Sequence, residues 1–393
     1  MLDRMILGEM AWPVTMLVAW FLGELGYSWR KIPRISMYAL TGFILAPTQT
    51  GFLPEVNSSM TMLLVNIGFG LILFECGYRV NLDWLRHNPW IAATSLTEAV
   101  LAFTAVYILA VWFELPLSTA LLFASLSMAT SPATIVRVLN EQHSAGQVTE
   151  RVLHLSALNC VLAVFVFKAT VGLVVFQSSG SIWDAVYSSL VVLAASSGLG
   201  VGFGLCIPLL LRFFRHESSR TLAFSVSVIF LVTLAYHFRL SPILSALVFG
   251  VSTRYRHLVF HPSQRGFGIL GDLLSLVLFV FVSATLDWRH VMAGFWIGFA
   301  IIIVRQLAKI AGIVIFAHPS GISWRKGLSV GMATIPISAF AILVLEQTRH
   351  FGVDLTAQLA PMTAAVLMLE IFGPICIQQV LRWADEIPED KGG

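Results

Sequence analysis

The chain has 393 residues, a formal net charge of +3, 57% hydrophobic residues and only 11% charged ones. So apolar a chain cannot hide its hydrophobic surface in a water-soluble fold, and a positive balance this small, confined to loops, argues against a nucleic-acid surface. The apolar stretches are continuous and roughly 17 to 27 residues long, the length of a helix crossing a bilayer, whereas a membrane β-barrel would alternate polarity in short segments.

The first stretch, 5–26, reads as a retained span, because Asp3 and Glu9 offset Arg4 and no small-residue cleavage site follows. Further helices are expected at 33–46, 60–76, 90–112, 116–137, 148–176, 185–211, 221–236, 240–252, 268–286, 291–317, 321–345 and 357–380, about thirteen in all, followed by a short tail over 381–393. Glycines 198, 200, 202 and 204 lie inside an apolar span with no strand before them, so they suit close helix packing rather than a phosphate loop. Cys76, Cys160, Cys206 and Cys376 are scattered singly, which implies no disulfide or metal framework and no cofactor. His143, His154 and His257 read as solvated loop residues, and no nucleophile and base pattern outside the bilayer suggests an enzyme.

Basic residues gather in the odd-numbered loops, from Arg30, Lys31 and Arg34 through Arg79, Arg137 and Arg151 to Arg325 and Lys326, while the even-numbered loops hold Arg239, Arg289 and Arg349. The positive-inside rule then places the N-terminus outside and the C-terminus in the cytoplasm, in a plasma or inner membrane.

Two spans carry proline at an interior position, where it removes a hydrogen bond and clashes with the preceding turn. One holds Thr130-Ser131-Pro132 and the other Thr334-Ile335-Pro336, each preceded by Met-Ala. They are the fifth helix of each half if repeat one covers about 5–176, the linker helix 185–211 and repeat two about 221–380, and such repeats would be inverted. Paired broken helices in corresponding positions point to a transport site, since unwound backbone at membrane depth survives only where it lines a cavity.

The run TSPATIVRVLNE at 130–141, SALNC at 156–160, GFGLILFECGYRVNLDWL at 68–85 and RQLAKIAG at 305–312 together resemble the monovalent cation:proton antiporter superfamily, over nearly the whole chain. The resemblance implies an all-α membrane fold of thirteen helices in two inverted repeats with crossed broken helices. It also implies a homodimer, and exchange of Na⁺ or K⁺ for protons by alternating access. In the family, the helix after the first crossover presents an Asn-Asp or Asp-Asp pair whose second Asp carries the ion. Here the pair is Asn159-Cys160. A thiol is neutral near pH 7, and soft sulfur is a poor ligand for hard alkali cations.

Glu98 is the expected replacement carboxylate, because an acid at mid-span is costly enough to mark function by default. Thr130, Ser131 and Ser156 could add oxygen ligands, with Pro132, Thr334 and Pro336 shaping the crossover. The resemblance gives Lys309, and after it Arg305, a charge-balancing role at the core acids and crossover. Glu370 is a second candidate acid, and Glu75 reads as solvated or paired with Arg79. Two alternatives stay open: an anion or weak-acid transporter on the same fold, drawn by the retained cations, and a transport-inactive homologue serving as sensor or complex subunit.

Overall fold

A computed structural model describes residues 2–54, 59–176, 182–211, 217–255, 268–337 and 360–388. Its regular elements among these residues are all helical: α1 (Leu2–Arg30), α2 (Arg34–Ile44), α3 (Ser59–Arg79), α4 (Leu82–His87), α5 (Trp90–Trp112), α6 (Leu117–Ser127), α7 (Pro132–Glu141) and α8 (Gln147–Phe176). They continue with α9 (Ile182–Leu211), α10 (Glu217–His237), α11 (Pro242–Tyr255), α12 (Gly268–Ala284), α13 (Trp288–Ile315), α14 (Trp324–Ala333) and α15 (Ala360–Trp383). Each expected span coincides with one of these, except that the fifth, 116–137, is divided into α6 and α7, and that 338–345 of the twelfth and 357–359 of the thirteenth lie outside the described residues. The short α4 was not expected. It starts at Asn81, whose side chain accepts from the backbone N–H groups of Asp83 and Trp84.

Among the described residues, length and apolarity alone qualify six stretches to cross a membrane, including Trp90–Trp112, Gln147–Gly172, Trp288–Ile315 and Ala360–Trp383. Helices such as α2, with 11 residues, and α11, with 14, are too short for that test by themselves. Large apolar side chains still point outward along the long helices, for example Trp20, Ile108, Trp112, Trp296 and Leu307. That inversion of the water-soluble pattern is what a lipid solvent demands.

The helices pack as two groups. In one, α3 packs on α10, α11 and α12, α2 on α1 and α12, and α9 on α11. In the other, α13 packs on α5, α14 and α15, and α8 on α5, α6, α7 and α14. Of the glycine-rich stretch in α9, Gly200 and Gly204 press on α11, where an added Cβ would come within 2.5 Å of Ser245 and 2.3 Å of Ser252, while Gly198 and Gly202 face open space. Only half of the stretch therefore serves packing within the chain.

The groups meet along a seam where α2 faces α15 and α3 faces α7. One end of it is charged. Glu75 on α3, fully buried, accepts from Arg137 Nη2 at 3.1 Å, Asn140 Nδ2 at 2.7 Å and Arg79 Nη2 at 2.9 Å. Arg137 also reaches Asp272 at 3.4 Å, and Arg34 joins Glu141 at 3.3 Å to Glu24 at 2.7 Å. The expected pairing of Glu75 with Arg79 is present, but Glu75 is not solvated and Arg137 is not a loop residue: a buried carboxylate needs more than one cation and donor to offset its desolvation. Arg151 is likewise buried, donating to Ser320 O at 2.6 Å. His154, expected in solvent, is buried against Trp84 and accepts from Asn81 N–H at 3.0 Å. His257 lies outside the described residues.

Candidate functional site

The first broken span is built as its sequence demands. α6 stops at Ser127, residues 128–131 are non-helical, and Pro132 opens α7 at its first position, where a missing N–H costs nothing. Ser131 is the N-cap, its Oγ accepting from Thr134 N–H at 3.3 Å and meeting Thr134 Oγ1 at 2.9 Å. In the second span α14 ends at Ala333, Thr334 Oγ1 donates to Gly331 O at 2.7 Å, and Ile335, Pro336 and Ile337 leave the helix. The two breaks touch: Ser131 N–H donates to Pro336 O at 2.9 Å.

Arg305 on α13 joins both breaks from the side. Fully buried, it donates through Nε to Ser127 O at 2.9 Å, through Nη2 to Ala129 O at 2.6 Å and through Nη1 to Ile335 O at 2.8 Å, with Thr334 O at 3.4 Å from Nη2. These are the orphan carbonyls at the C-terminal ends of two half-helices, the negative poles of their dipoles, and a planar guanidinium can satisfy several at once. Gln306 adds a bond from Nε2 to Gly331 O at 2.7 Å.

One turn further along α13, Lys309 enters a second buried cluster. Its Nζ lies 3.3 Å from Glu98 Oε2 and 2.9 Å from Thr130 Oγ1. Asn159 Nδ2 donates to Glu98 Oε1 and, at 3.2 Å, to Thr130 Oγ1, and Asn159 Oδ1 accepts from Ser95 Oγ at 2.8 Å. Glu98, Lys309, Thr130 and Asn159 are each fully buried. The approach depends on Gly312, three residues beyond Lys309, where a Cβ would stand 2.6 Å from the Cα of Glu98. Helices α5 and α13 can come this close because that position carries no side chain.

Four of the expected residues, Glu98, Thr130, Asn159 and Lys309, therefore meet in one hydrogen-bonded cluster, and Arg305 holds the crossover beside it. Ser131, Ser156 and Cys160 do not join the cluster. Ser131 is occupied as a cap, and Ser156 Oγ donates to Leu153 O at 2.8 Å. Cys160 is buried in the apolar core cluster that also contains Cys76. Cys160, the next residue, is turned about 100° around α8 from Asn159 and packs into the apolar core instead. Ser95 was not singled out in advance, although it sits three residues before Glu98 and thus on its face. The Arg137–Glu75 pairing had no signal, being 62 residues apart in sequence.

Non-helical backbone buried between half-helices is the construction of secondary transporters that work by alternating access. The family follows from the sequence: residues 14–383 match sodium/hydrogen exchanger, transmembrane, and the chain belongs to that family of integral, multi-pass cation:proton antiporters. Among solved structures it is similar to the sodium proton antiporter MjNhaP1 from Methanocaldococcus jannaschii at pH 8, with a TM-score of 0.68 and 18% identity over 97% of each chain. An electron-microscopy map of the same antiporter gives a TM-score of 0.67 and 18% identity over 95% of each chain. At that identity the likeness establishes the antiporter fold. A search of curated protein sequences finds no significant match.

Proposed function

We propose that this exchanger carries one monovalent cation, Na⁺ or K⁺, against a proton at the Glu98 cluster, and that Glu98 does the work of the missing aspartate at position 160. The observation that carries this reading is the place of Lys309. Its ammonium group rests between Glu98 Oε2 at 3.3 Å and Thr130 Oγ1 at 2.9 Å, among the oxygens a hard alkali cation would choose. A lysine ammonium and an alkali cation have the same charge, so the two compete for one seat.

Exchange follows from that competition. A cation arriving at Glu98, Thr130 and the carbonyl oxygen of Asn159 displaces the Lys309 amine, which then gives its proton to water. When the cation leaves, the amine takes a proton and returns to Glu98. Charge inside the site stays constant, which a buried cluster requires. Arg305 stays out of the exchange, since its donors are committed to the half-helix carbonyls. Cys160 takes no part, and Pro132, Thr334 and Pro336 serve by keeping the crossover unwound. A homodimer, with the N-terminus outside and the basic-rich loops in the cytoplasm, completes the reading.

The test is dissipation of an imposed pH gradient in proteoliposomes on adding Na⁺, K⁺ or Li⁺. Wild type should respond to one or more of these cations and Glu98→Gln should not. Lys309→Gln should keep cation binding, more tightly than wild type, but lose the coupled proton. A silent wild type that becomes active in Cys160→Asp would refute the reading and favour a transport-inactive homologue. Flux driven by anions rather than cations would favour an anion or weak-acid carrier.

A further inference from the structure

One buried carboxylate has no role in that exchange. Glu370 stands near the centre of α15, eleven positions into a helix that runs from Ala360 to Trp383, and is 1% exposed. Among the described residues its Oε1 has no hydrogen-bond partner, and its Oε2 has one long contact, 3.5 Å from Ser283 Oγ on α12. Glu370 forms no ion pair among the described residues.

Among the described residues, the charged groups on the surrounding helices are all engaged elsewhere or lie far along their axes. On α13, Arg305 is committed to carbonyls and Lys309 to Glu98 and Thr130, while Asp287, Arg289 and His290 stand at the helix start. On α2, Arg34 is at the first position and is held by Glu24 and Glu141. On α7, Arg137 is taken by Glu75 and Asp272. Asp272 itself lies eleven residues from Ser283 on α12, about 16 Å along the helix. On α14, Arg325 and Lys326 stand in the first turn, and Lys326 donates to Gln147 at 3.0 Å. Arg382 on α15 is twelve residues beyond Glu370.

A carboxylate left ionised here would be desolvated with neither a countercharge nor a full set of donors, a state that proteins avoid by holding the neutral form. Its place matters as much as its burial. α15 belongs to the helix group of α13 and α14, and Ser283 belongs to the group of α2 and α12, so the one side-chain hydrogen bond of Glu370 among the described residues crosses the seam. Neighbouring Gly373, one turn on, lies against the crossover, where an added Cβ would be 3.3 Å from Pro336 Cβ.

We propose that Glu370 is a second proton-binding site, occupied while the seam is closed as it is here and emptied when the two helix groups move and admit water to it. The neutral acid can donate to Ser283 Oγ and sit in an apolar seam; the anion cannot. Sliding therefore releases a proton from Glu370, and closing recaptures one. The proposal rests on the helix packing and not on Glu98 being the cation site, so the two can fail separately.

The experiment is infrared difference spectroscopy of the protein in lipid, between neutral and alkaline pH, in H₂O and D₂O. The expected result is a deuterium-sensitive carboxylic-acid C=O band in the wild type at neutral pH that is absent from Glu370→Gln and retained in Glu98→Gln. Glu370→Gln should also bind the transported cation as tightly as wild type while releasing less proton between pH conditions that close and open the seam. If the glutamine variant does not fold, Glu370→Asp must shift the same band. Persistence of the band in Glu370→Gln, or its absence from the wild type, overturns the proposal. So does loss of radioactive Na⁺ or K⁺ binding in Glu370→Gln, which would make the seam a cation site instead.

Discussion

Replacing Lys309 with glutamine removes the single ammonium facing Glu98 while keeping a group able to bond Thr130. At the observed 3.3 Å separation the attraction is about 5 kcal/mol with an effective dielectric of about 20, since 332/(20 × 3.3) is close to 5. Both side chains are fully buried, so solvent does not screen the pair. The attraction lost is offset in wild type by the desolvation of both ions. The cost of the single substitution is therefore set mainly by leaving Glu98 uncompensated, about 3 to 5 kcal/mol. Glu98→Gln alone should cost a similar amount by stranding Lys309. The double variant Glu98→Gln/Lys309→Gln should recover most of the loss, because two amides can bond each other, Asn159 and Thr130 without any buried charge. Unfolding in SDS mixed micelles, followed by tryptophan fluorescence, gives the four free energies of the cycle. A coupling of about 3 kcal/mol is expected, and single effects that simply add, within about 0.5 kcal/mol, would mean that the two groups do not share a site.

Three further outcomes are expected. Arg305→Lys keeps the charge but cannot span carbonyls from both breaks, so transport should fall sharply and stability by at least about 2 kcal/mol in the same micelle assay. Gly312→Ala forces a Cβ to within 2.6 Å of the Glu98 Cα; α5 and α13 must separate, at a cost of about 1 to 3 kcal/mol, and cation affinity in radioactive-ion binding should drop although no ligand has changed. Arg137→Gln leaves Glu75 with Arg79 and Asn140 only, so the charged end of the seam should open more readily, seen as faster thiol labelling of the buried native Cys76 read by peptide mass spectrometry, with a stability loss of about 3 kcal/mol that Glu75→Gln in the same chain largely restores.

The spans were legible because lipid imposes a rule on every position at once: a helix facing hydrocarbon must be continuously apolar for about 20 residues. The broken helices were legible through Pro132 and Pro336, since proline has a local steric effect that no tertiary context removes. Glu98 stood out for a related reason, as an acid in the middle of α5 has no inexpensive explanation. Position 160 was harder. Family resemblance put the site chemistry at Asn159 and Cys160 together, whereas the helix turns Asn159 toward Glu98 and Cys160 into the apolar core.

What the sequence determined by itself is the solvent, the helical architecture, the two crossover breaks and the roster of costly polar groups, because each follows from local chemistry and one uniform environment. Only the tertiary structure decided which of those groups meet. Lys309 reaches Glu98 across 211 residues, Arg137 reaches Glu75 across 62, and Glu370 meets no cation among the described residues. These pairings are set by how whole helices rotate and slide until glycines such as Gly312 let backbones touch, and that choice belongs to the packed ensemble of side chains rather than to any one segment.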